Sequence, residues 1–313
     1  MVTEYAAHFG LKEAPFRRNQ HPKWLYLSGQ QKEAIIKTRW MVEECGGLAL
    51  WRADVGHGKS SLIEYVMTAW RKQFGWNCAK LQNTGTISGP HTLLKEVLAA
   101  FGIESANTTR KMVVQLETWL LEQQLESEKP VVLFIDEAQS LNSRVFPVIR
   151  DLINLQTRDR ILLQIVLAGQ LTVDRKLKNF PALRSRIASA TTFQPFTHEE
   201  CDGMLLYRFE RAGAHDPFRI MTGRANRAIY DASQGVPRDI ITIADAAMKE
   251  AFLRNARVID VEHVHQGVLS LEGRSDYVPD FGEDVAALTP AASAMNRAAL
   301  DTLRQMRDFA CAG

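Results

Sequence analysis

The sequence predicts an α/β fold: a parallel sheet flanked by helices, followed by a small all-helical unit. Three observations carry this expectation. From residue 47 to about 195, short β-rich apolar runs alternate with helical patterns, and strands that alternate with helices build parallel sheets. The runs 131–135 and 161–169 are apolar nearly throughout, which fits strands buried on both faces better than strands with one wet face. From Thr197 to about Leu271 the strand signal disappears and helical patterns broken at Gly213, Pro217, Gly235, Pro237 and Asn255 take over.

Each element follows in order. Residues 1–46 form an N-terminal segment with a leading helix. The sheet-building region, 47–195, opens with a strand at 47–53 and a helix over 60–74. A strand at 76–81 follows, then helices near 90–102 and 110–127. Next come a strand at 131–136, a helix over 143–156, a strand at 162–169 and a last strand near 190. Residues 196–271 hold three or four helices. Residues 272–289 carry three Gly/Pro breaks and several acids and read as a linker. A final helix is expected over 290–311, with Thr289 as its cap and Pro290 in its first turn. Met295, Ala299, Leu303, Met306 and Ala310 form a stripe on it, either to dock a partner or to pack back on the helical unit.

Length and composition bound the function class. With 313 residues the chain has room for about two domains at roughly 150 residues each. Its net charge of +2 and 24% charged residues exclude a disordered acidic or basic chain. The cysteines Cys45, Cys78, Cys201 and Cys311 form no close pair, so neither a zinc cluster nor a disulfide framework is indicated. No run approaches the ~20 apolar residues of a membrane helix and the N-terminus lacks a signal-peptide pattern; the expectation is a cytoplasmic protein with reduced thiols and no membrane insertion. Trp40, Trp51, Trp70, Trp76 and Trp119 fall in apolar-periodic segments and are expected in the core. The histidines show no ligand spacing; His263 and His265, at i and i+2, do not share a helix face.

The chemistry sits in Ala53-Asp54-Val55-Gly56-His57-Gly58-Lys59-Ser60-Ser61, directly after a strand and at the start of a helix. In the P-loop pattern, N–H groups of a glycine-rich turn and a helix N-terminus surround phosphates, the lysine reaches the β and γ oxygens, and the hydroxyl takes Mg²⁺. ATP with Mg²⁺ is the ligand this implies. Ala53 stands where the pattern has its first glycine; alanine holds a negative-φ turn, so binding is expected to survive. His57 occupies a freely variable position. Further on, the apolar strand 131–135 ends in Asp136-Glu137. There Asp136, with Ser60, is placed to hold Mg²⁺, and Glu137 to orient and deprotonate an attacking water.

Three further polar positions follow. Gln170 ends the apolar strand 161–169, either as a sensor of the γ-phosphate or as an ordinary turn residue. Arg184 and Arg186, in Leu183-Arg184-Ser185-Arg186-Ile187, precede the last strand. One of them, Arg186 by preference, is an arginine finger toward a neighbouring subunit; otherwise both are solvated. Arg238, in Gly235-Val236-Pro237-Arg238, opens a helix of the helical unit and either reaches back to the nucleotide or pairs with Asp239 or Asp245.

In that order these motifs resemble an AAA+ ATPase with its helical lid. The segments 8–16 and 24–28, with Leu167-Ala168-Gly169-Gln170, resemble more narrowly the ExeA/TniB/TnsC group of transposition ATPase subunits and a related secretion ATPase. The likeness covers about residues 5–271. It implies a homo-oligomer, a ring or helical filament, that assembles on double-stranded DNA without sequence preference and recruits a transposase or other transposition protein. It places the DNA-facing regions in the loop 83–90 and in Asn107-Thr108-Thr109-Arg110-Lys111. The cations and hydroxyls of that second loop suit phosphate contact, although they equally suit a helix N-cap and a solvated first turn. Arg17, Arg18 and Lys23 add basic charge near the N-terminus. Two alternatives stay open: a secretion-assembly ATPase of the ExeA type, and a DNA-independent nucleotide-switch scaffold.

Overall fold

In the computed structural model, residues 3–17, 21–81 and 84–271 are described. They group into two compact units: 21–194, and 3–17 together with 195–271. The predicted linker and final helix, with Cys311, lie outside the described residues.

Helix α1 (Glu4–His8) belongs to the second unit. The first is built on α2 (Gly29–Glu43), β1 (Leu48–Arg52), α3 (Lys59–Phe74), β2 (Asn77–Leu81), α4 (Pro90–Ala100) and α5 (Thr109–Ser127). It continues through β3 (Val131–Ile135), α6 (Phe146–Ile153), β4 (Leu163–Gly169), α7 (Val173–Leu177), α8 (Pro181–Arg184) and β5 (Ile187–Thr192). The strands form one five-stranded sheet in the order β2-β3-β4-β1-β5. Every pairing is parallel, with Arg52 opposite Gly169 and Ile135 opposite Leu167. This order brings the carboxyl ends of β3, β4 and β1 side by side, the place where open parallel sheets bind ligands.

Alternation of side chains along each strand divides the core in two. Leu48, Leu50, Leu133, Ile135, Ile165 and Leu167 face one way, with α4, α5 and α6. Ala49, Trp51, Val132, Phe134, Val166 and Ala168 face the other, with α2 and α3. Gln164, the polar residue inside β4, is buried yet satisfied: its carbonyl accepts from Gly47 N at 2.8 Å and its amide donates to Ile161 O at 2.8 Å. Trp51 is sealed in the second face and donates from Nε1 to Thr38 Oγ1 of α2 at 2.9 Å.

The structure departs from the expectations in three places. Trp51, Trp70 and Trp76 are buried and Trp119 packs against the core, but Trp40 is 52% exposed. It lies one turn after the exposed Ile36, on the side of α2 away from Ala34, Thr38 and Met41, which pack inward. The helix expected over 143–156 is a 3₁₀ turn (Ser143–Val145) followed by α6, which ends at Ile153. Pro147 lies at the start of α6; lacking an N–H, proline is suited to a first turn and not to an interior. Finally, residues 1–46 are not one segment: α2 packs on the sheet, whereas residues 3–17 cluster with the helical unit.

That second unit consists of α1 with α9 (His198–Arg211), α10 (Gly223–Ser233), α11 (Pro237–Leu253) and α12 (Val261–Leu269). Thr197, Thr222 and Asp260 cap three of these helices with their side chains. The N-terminal strip is held by Tyr5 donating to Asp245 (3.2 Å), by His8 Nε2 against Ala256 O (2.8 Å) and by Arg208 donating to Pro15 O (3.0 Å). Burial lowers Arg208 to a pKa of about 10. Cys45, Cys78 and Cys201 are free thiols, and burial pushes Cys78 up to about 12. Among the described residues no helix is long and apolar enough to cross a membrane.

Candidate active site

The loop after β1 is shaped by its glycines and closed by its lysine. Ala53 N donates to Gly169 O at 3.1 Å, so the β1–β4 ladder runs one residue beyond the strand. Ala53 is fully buried and outside the left-handed region, which is why a Cβ is tolerated where the pattern has glycine. Gly56 (φ 90°) and Gly58 (φ 80°) do take left-handed conformations, open to glycine at little cost. Gly58 is the N-cap of α3 and no side chain caps that helix. Its first-turn N–H groups are therefore left for a ligand, at the positive end of a 16-residue helix. Lys59 is buried and donates from Nζ to Ala53 O (2.8 Å) and Asp54 O (3.0 Å). Asp54 and Val55 are exposed and Ser60 and Ser61 half-buried. His57 fills the freely variable position of the loop pattern. It is 6% exposed, and its Nδ1 lies 3.2 Å from Asp54 O and 3.3 Å from Val55 O; both partners are acceptors, so the ring donates and braces the turn.

At the end of β3, Asp136 is buried. Its Oδ1 accepts from Glu137 N at 2.9 Å, and its Oδ2 lies 3.3 Å from Lys80 Nζ. Lys80, projecting from β2, also pairs with Glu64 Oε1 of α3 at 3.1 Å. Glu137 is exposed and left-handed (φ 52°), a conformation uncommon for residues other than glycine and frequent at functional sites. Its carboxylate accepts a hydrogen bond from Gln139 Nε2, and Gln139 Oε1 accepts from Gln170 N at 2.9 Å. Gln170 itself is half-buried, just past β4. Sequence reasoning missed both Lys80 and Gln139. The first had a signal, a cation inside a strand of a two-faced sheet; the second had none beyond following the acid pair.

Ser60 and Asp136 offer a hydroxyl and a carboxylate, the hard oxygen donors Mg²⁺ takes, and Mg²⁺ typically uses one or two carboxylates plus substrate phosphates. The donors fit the ion, which would compete with the Lys80 ammonium for the Asp136 carboxylate. Among the described residues no group of three or more His, Cys, Asp or Glu side chains forms a metal cage.

The remaining predicted residues are more dispersed. Arg184 ends α8 and Arg186 lies between α8 and the edge strand β5; both are exposed and neither forms an ion pair among the described residues. Arg238 is exposed at the second position of α11 in the helical unit, where its carbonyl accepts from Thr242 Oγ1 at 2.9 Å. Thr108 is the N-cap of α5, its hydroxyl accepting from Lys111 N at 3.4 Å. Asn107, Arg110 and Lys111 are exposed, and Thr109 opens the helix. Asn83 and Arg18 lie outside the described residues, and Arg17 and Lys23 fall in different units.

Residues 45–177 match the family model of the AAA domain. The General secretion pathway protein A of Aeromonas hydrophila is 30% identical over 263 residues, covering 82% of this chain and 46% of that protein. The chain thus spans less than half the length of this relative. Among solved structures, the Aeropyrum pernix ORC2 protein in its ADPNP–ADP complexes aligns with a TM-score of 0.63 at 16% identity, over 83% of this chain and 71% of that one. Drosophila ORC bound to DNA aligns at 0.62 and 17%, over 85% and 65%. At such identities the likeness is one of fold.

Proposed function

We propose that this chain, whose residues 45–177 carry an AAA domain on an AAA+ P-loop sheet, binds and hydrolyses ATP. One observation carries the reading: an uncapped helix N-terminus, a buried lysine and two acids meet at the carboxyl edge of one parallel sheet. The free N–H groups of the loop and of α3 receive the phosphates. Lys59 Nζ exchanges the carbonyls of Ala53 and Asp54 for phosphate oxygens, trading neutral acceptors for charged ones. Ser60 and Asp136 would hold Mg²⁺, which when bound would supply charge neutralisation at the phosphates. Glu137 orients the attacking water and takes its proton as the water oxygen bonds to the γ phosphorus and the bond to the ADP oxygen breaks. Gln170 lies at the sheet end beside it, and Arg186 of a neighbouring copy meets the γ-phosphate charge.

We further propose that ATP-bound subunits assemble on duplex DNA, with Asn107, Thr108, Thr109, Arg110 and Lys111 at the phosphate backbone, and recruit a transposase. Arg110 and Lys111, exposed and without an ion pair among the described residues, support this, and the Drosophila ORC protein of similar fold was captured bound to DNA. A second reading, a secretion-assembly ATPase, is favoured by the 30% identity to the Aeromonas hydrophila secretion protein.

Two measurements test these readings. Glu137→Gln is expected to leave ATP binding intact while turnover falls at least ~100-fold, within the range of general acid–base effects; an equal loss of binding refutes the role. Binding of a random-sequence duplex is expected to require the ATP state and to weaken steeply with salt. Absence of binding at low salt in every nucleotide state refutes the DNA reading and leaves the secretion reading.

A further inference from the structure

We propose that Gln139 is a positioning residue that fixes the Glu137 carboxylate against the end of β4. The inference rests on Glu137 acting on the attacking water. Glu137 is exposed, and an exposed glutamate with three rotatable bonds samples many orientations, whereas a general base must be held within hydrogen-bond reach of its proton. Gln139 supplies the restraint. It lies in a 3₁₀ turn (Ala138–Ser140) whose backbone is tied back to Glu137, Ser140 N donating to Glu137 O at 2.8 Å. From there its side chain makes two bonds of opposite sense: its NH₂ donates to the Glu137 carboxylate and its carbonyl accepts from Gln170 N at 2.9 Å.

The two partners also fix which end of the amide is which, because a carboxylate requires a donor and a backbone N–H requires an acceptor. A neutral amide of this length serves both. A lysine would hold the acid but accept nothing, and a glutamate would accept from Gln170 but repel Glu137.

Gly169 gives independent support. Its backbone is not left-handed, so conformation is not the reason for glycine there; space is. A Cβ at 169 would lie 2.9 Å from Gln139 Oε1, 3.3 Å from Gln139 N and 3.4 Å from the Ala138 Cβ. The missing side chain at the last position of β4 is what lets the Gln139 amide lie across the strand end. Since Gly169 pairs with Arg52 on the neighbouring inner strand, the carboxylate is referenced to the middle of the sheet. A shift of the β4 end passes through one amide to the base.

The test compares Gln139→Met, Gln139→Glu, Gly169→Ala and Glu137→Gln in turnover and ATP affinity. A second measurement follows the Gln139 side-chain amide by selective ¹⁵N-glutamine NMR, assigned with Gln139→Met. Both Gln139 variants are expected to lower kcat at least ~10-fold with KM within about twofold, because misplacing a reacting group by about 1 Å costs up to ~100-fold without weakening binding. Gly169→Ala is expected to lower kcat in the same direction. The Gln139 NH₂ signal of the wild type is expected to move in Glu137→Ala.

Gln139→Glu retains the bond to Gln170 and loses only the donor, so wild-type turnover in that variant overturns the proposal and reduces Gln139 to a structural strut. An NH₂ signal unmoved by Glu137→Ala overturns it as well. Failure of the hydrolytic reading shows elsewhere, as undiminished turnover in Glu137→Gln.

Discussion

Replacing Lys80 by methionine keeps the aliphatic stem and removes the cation that Glu64 and Asp136 share. The ammonium lies 3.1 Å from one carboxylate and 3.3 Å from the other, with side-chain exposures of 12% for Lys80 and 10% for Asp136. Unit charges 3.3 Å apart in an effective dielectric of about 20 attract by about 5 kcal/mol before desolvation. Removing one partner of a fully buried pair costs about 3–5 kcal/mol. Asp136 keeps its bond from Glu137 N and some access to water, so the expected loss is smaller, on the order of 2–3 kcal/mol. At about 2–4 °C per kcal/mol for a unit of this size, Lys80→Met is expected to melt about 5–10 °C below wild type in EDTA without nucleotide. Mg²⁺ offers Asp136 a replacement cation, so the variant is expected to regain more of its Tm than wild type does when Mg²⁺ is added. Lys80→Arg, which keeps the charge, is expected to melt near wild type. Thermal unfolding followed by calorimetry reads all three. A Lys80→Met protein within about 1 °C of wild type in EDTA, or one that gains no more from Mg²⁺, refutes the assignment of Lys80 as the countercharge of Asp136.

Two further outcomes are expected. If Arg186 acts across subunits, Arg186→Ala and Lys59→Ala are each inactive alone, but mixing them restores part of the ATP turnover, because the Lys59 variant lends its Arg186 to an intact nucleotide site; a mixture as inactive as its parts refutes the role. In the helical unit, burial alone would raise the Asp260 carboxyl, but bonds from Thr222 Oγ1 (2.7 Å) and Val261 N (2.8 Å), with Arg224 and His263 nearby, outweigh it and hold the pKa below the usual value. Its contribution is therefore present above the unfolded value of about 3.9 and is lost as the pH falls through the lower folded one. Asp260→Ala is expected to cost about 1 kcal/mol at neutral pH, typical of a lost N-cap, with the deficit shrinking in acid; a pH-independent deficit in denaturant titrations refutes this account.

The elements legible in the sequence were those with a local cause. Val131 to Ile135 had to be an interior strand because no polar residue interrupts it, and Gly56 and Gly58 ahead of Lys59 marked a turn feeding a helix whichever way the chain ran afterwards. The change to an all-helical pattern could be read from Thr197 onward for the same reason: the breaks at Gly213, Pro217, Gly235, Pro237 and Asn255 are each local signals. Trp40 misled because helical periodicity marks a residue as apolar without saying which side of α2 the sheet covers. Residues 1–46 misled because nothing in residues 3–17 announces that Asp245, Ala256 and Arg208 will hold them.

By itself, then, the sequence determined the strand and helix alternation, the phosphate-type loop at 53–61 and the acid pair Asp136-Glu137, since each depends on neighbours along the chain. Only the tertiary structure decided the strand order that sets β3, β4 and β1 side by side. It likewise decided the meeting of Lys80 with Asp136 and Glu64, and the span of Gln139 from Glu137 to Gln170. Those contacts join residues on different elements, and such pairings are selected by how whole faces of the sheet pack, a property that no local stretch of chain carries.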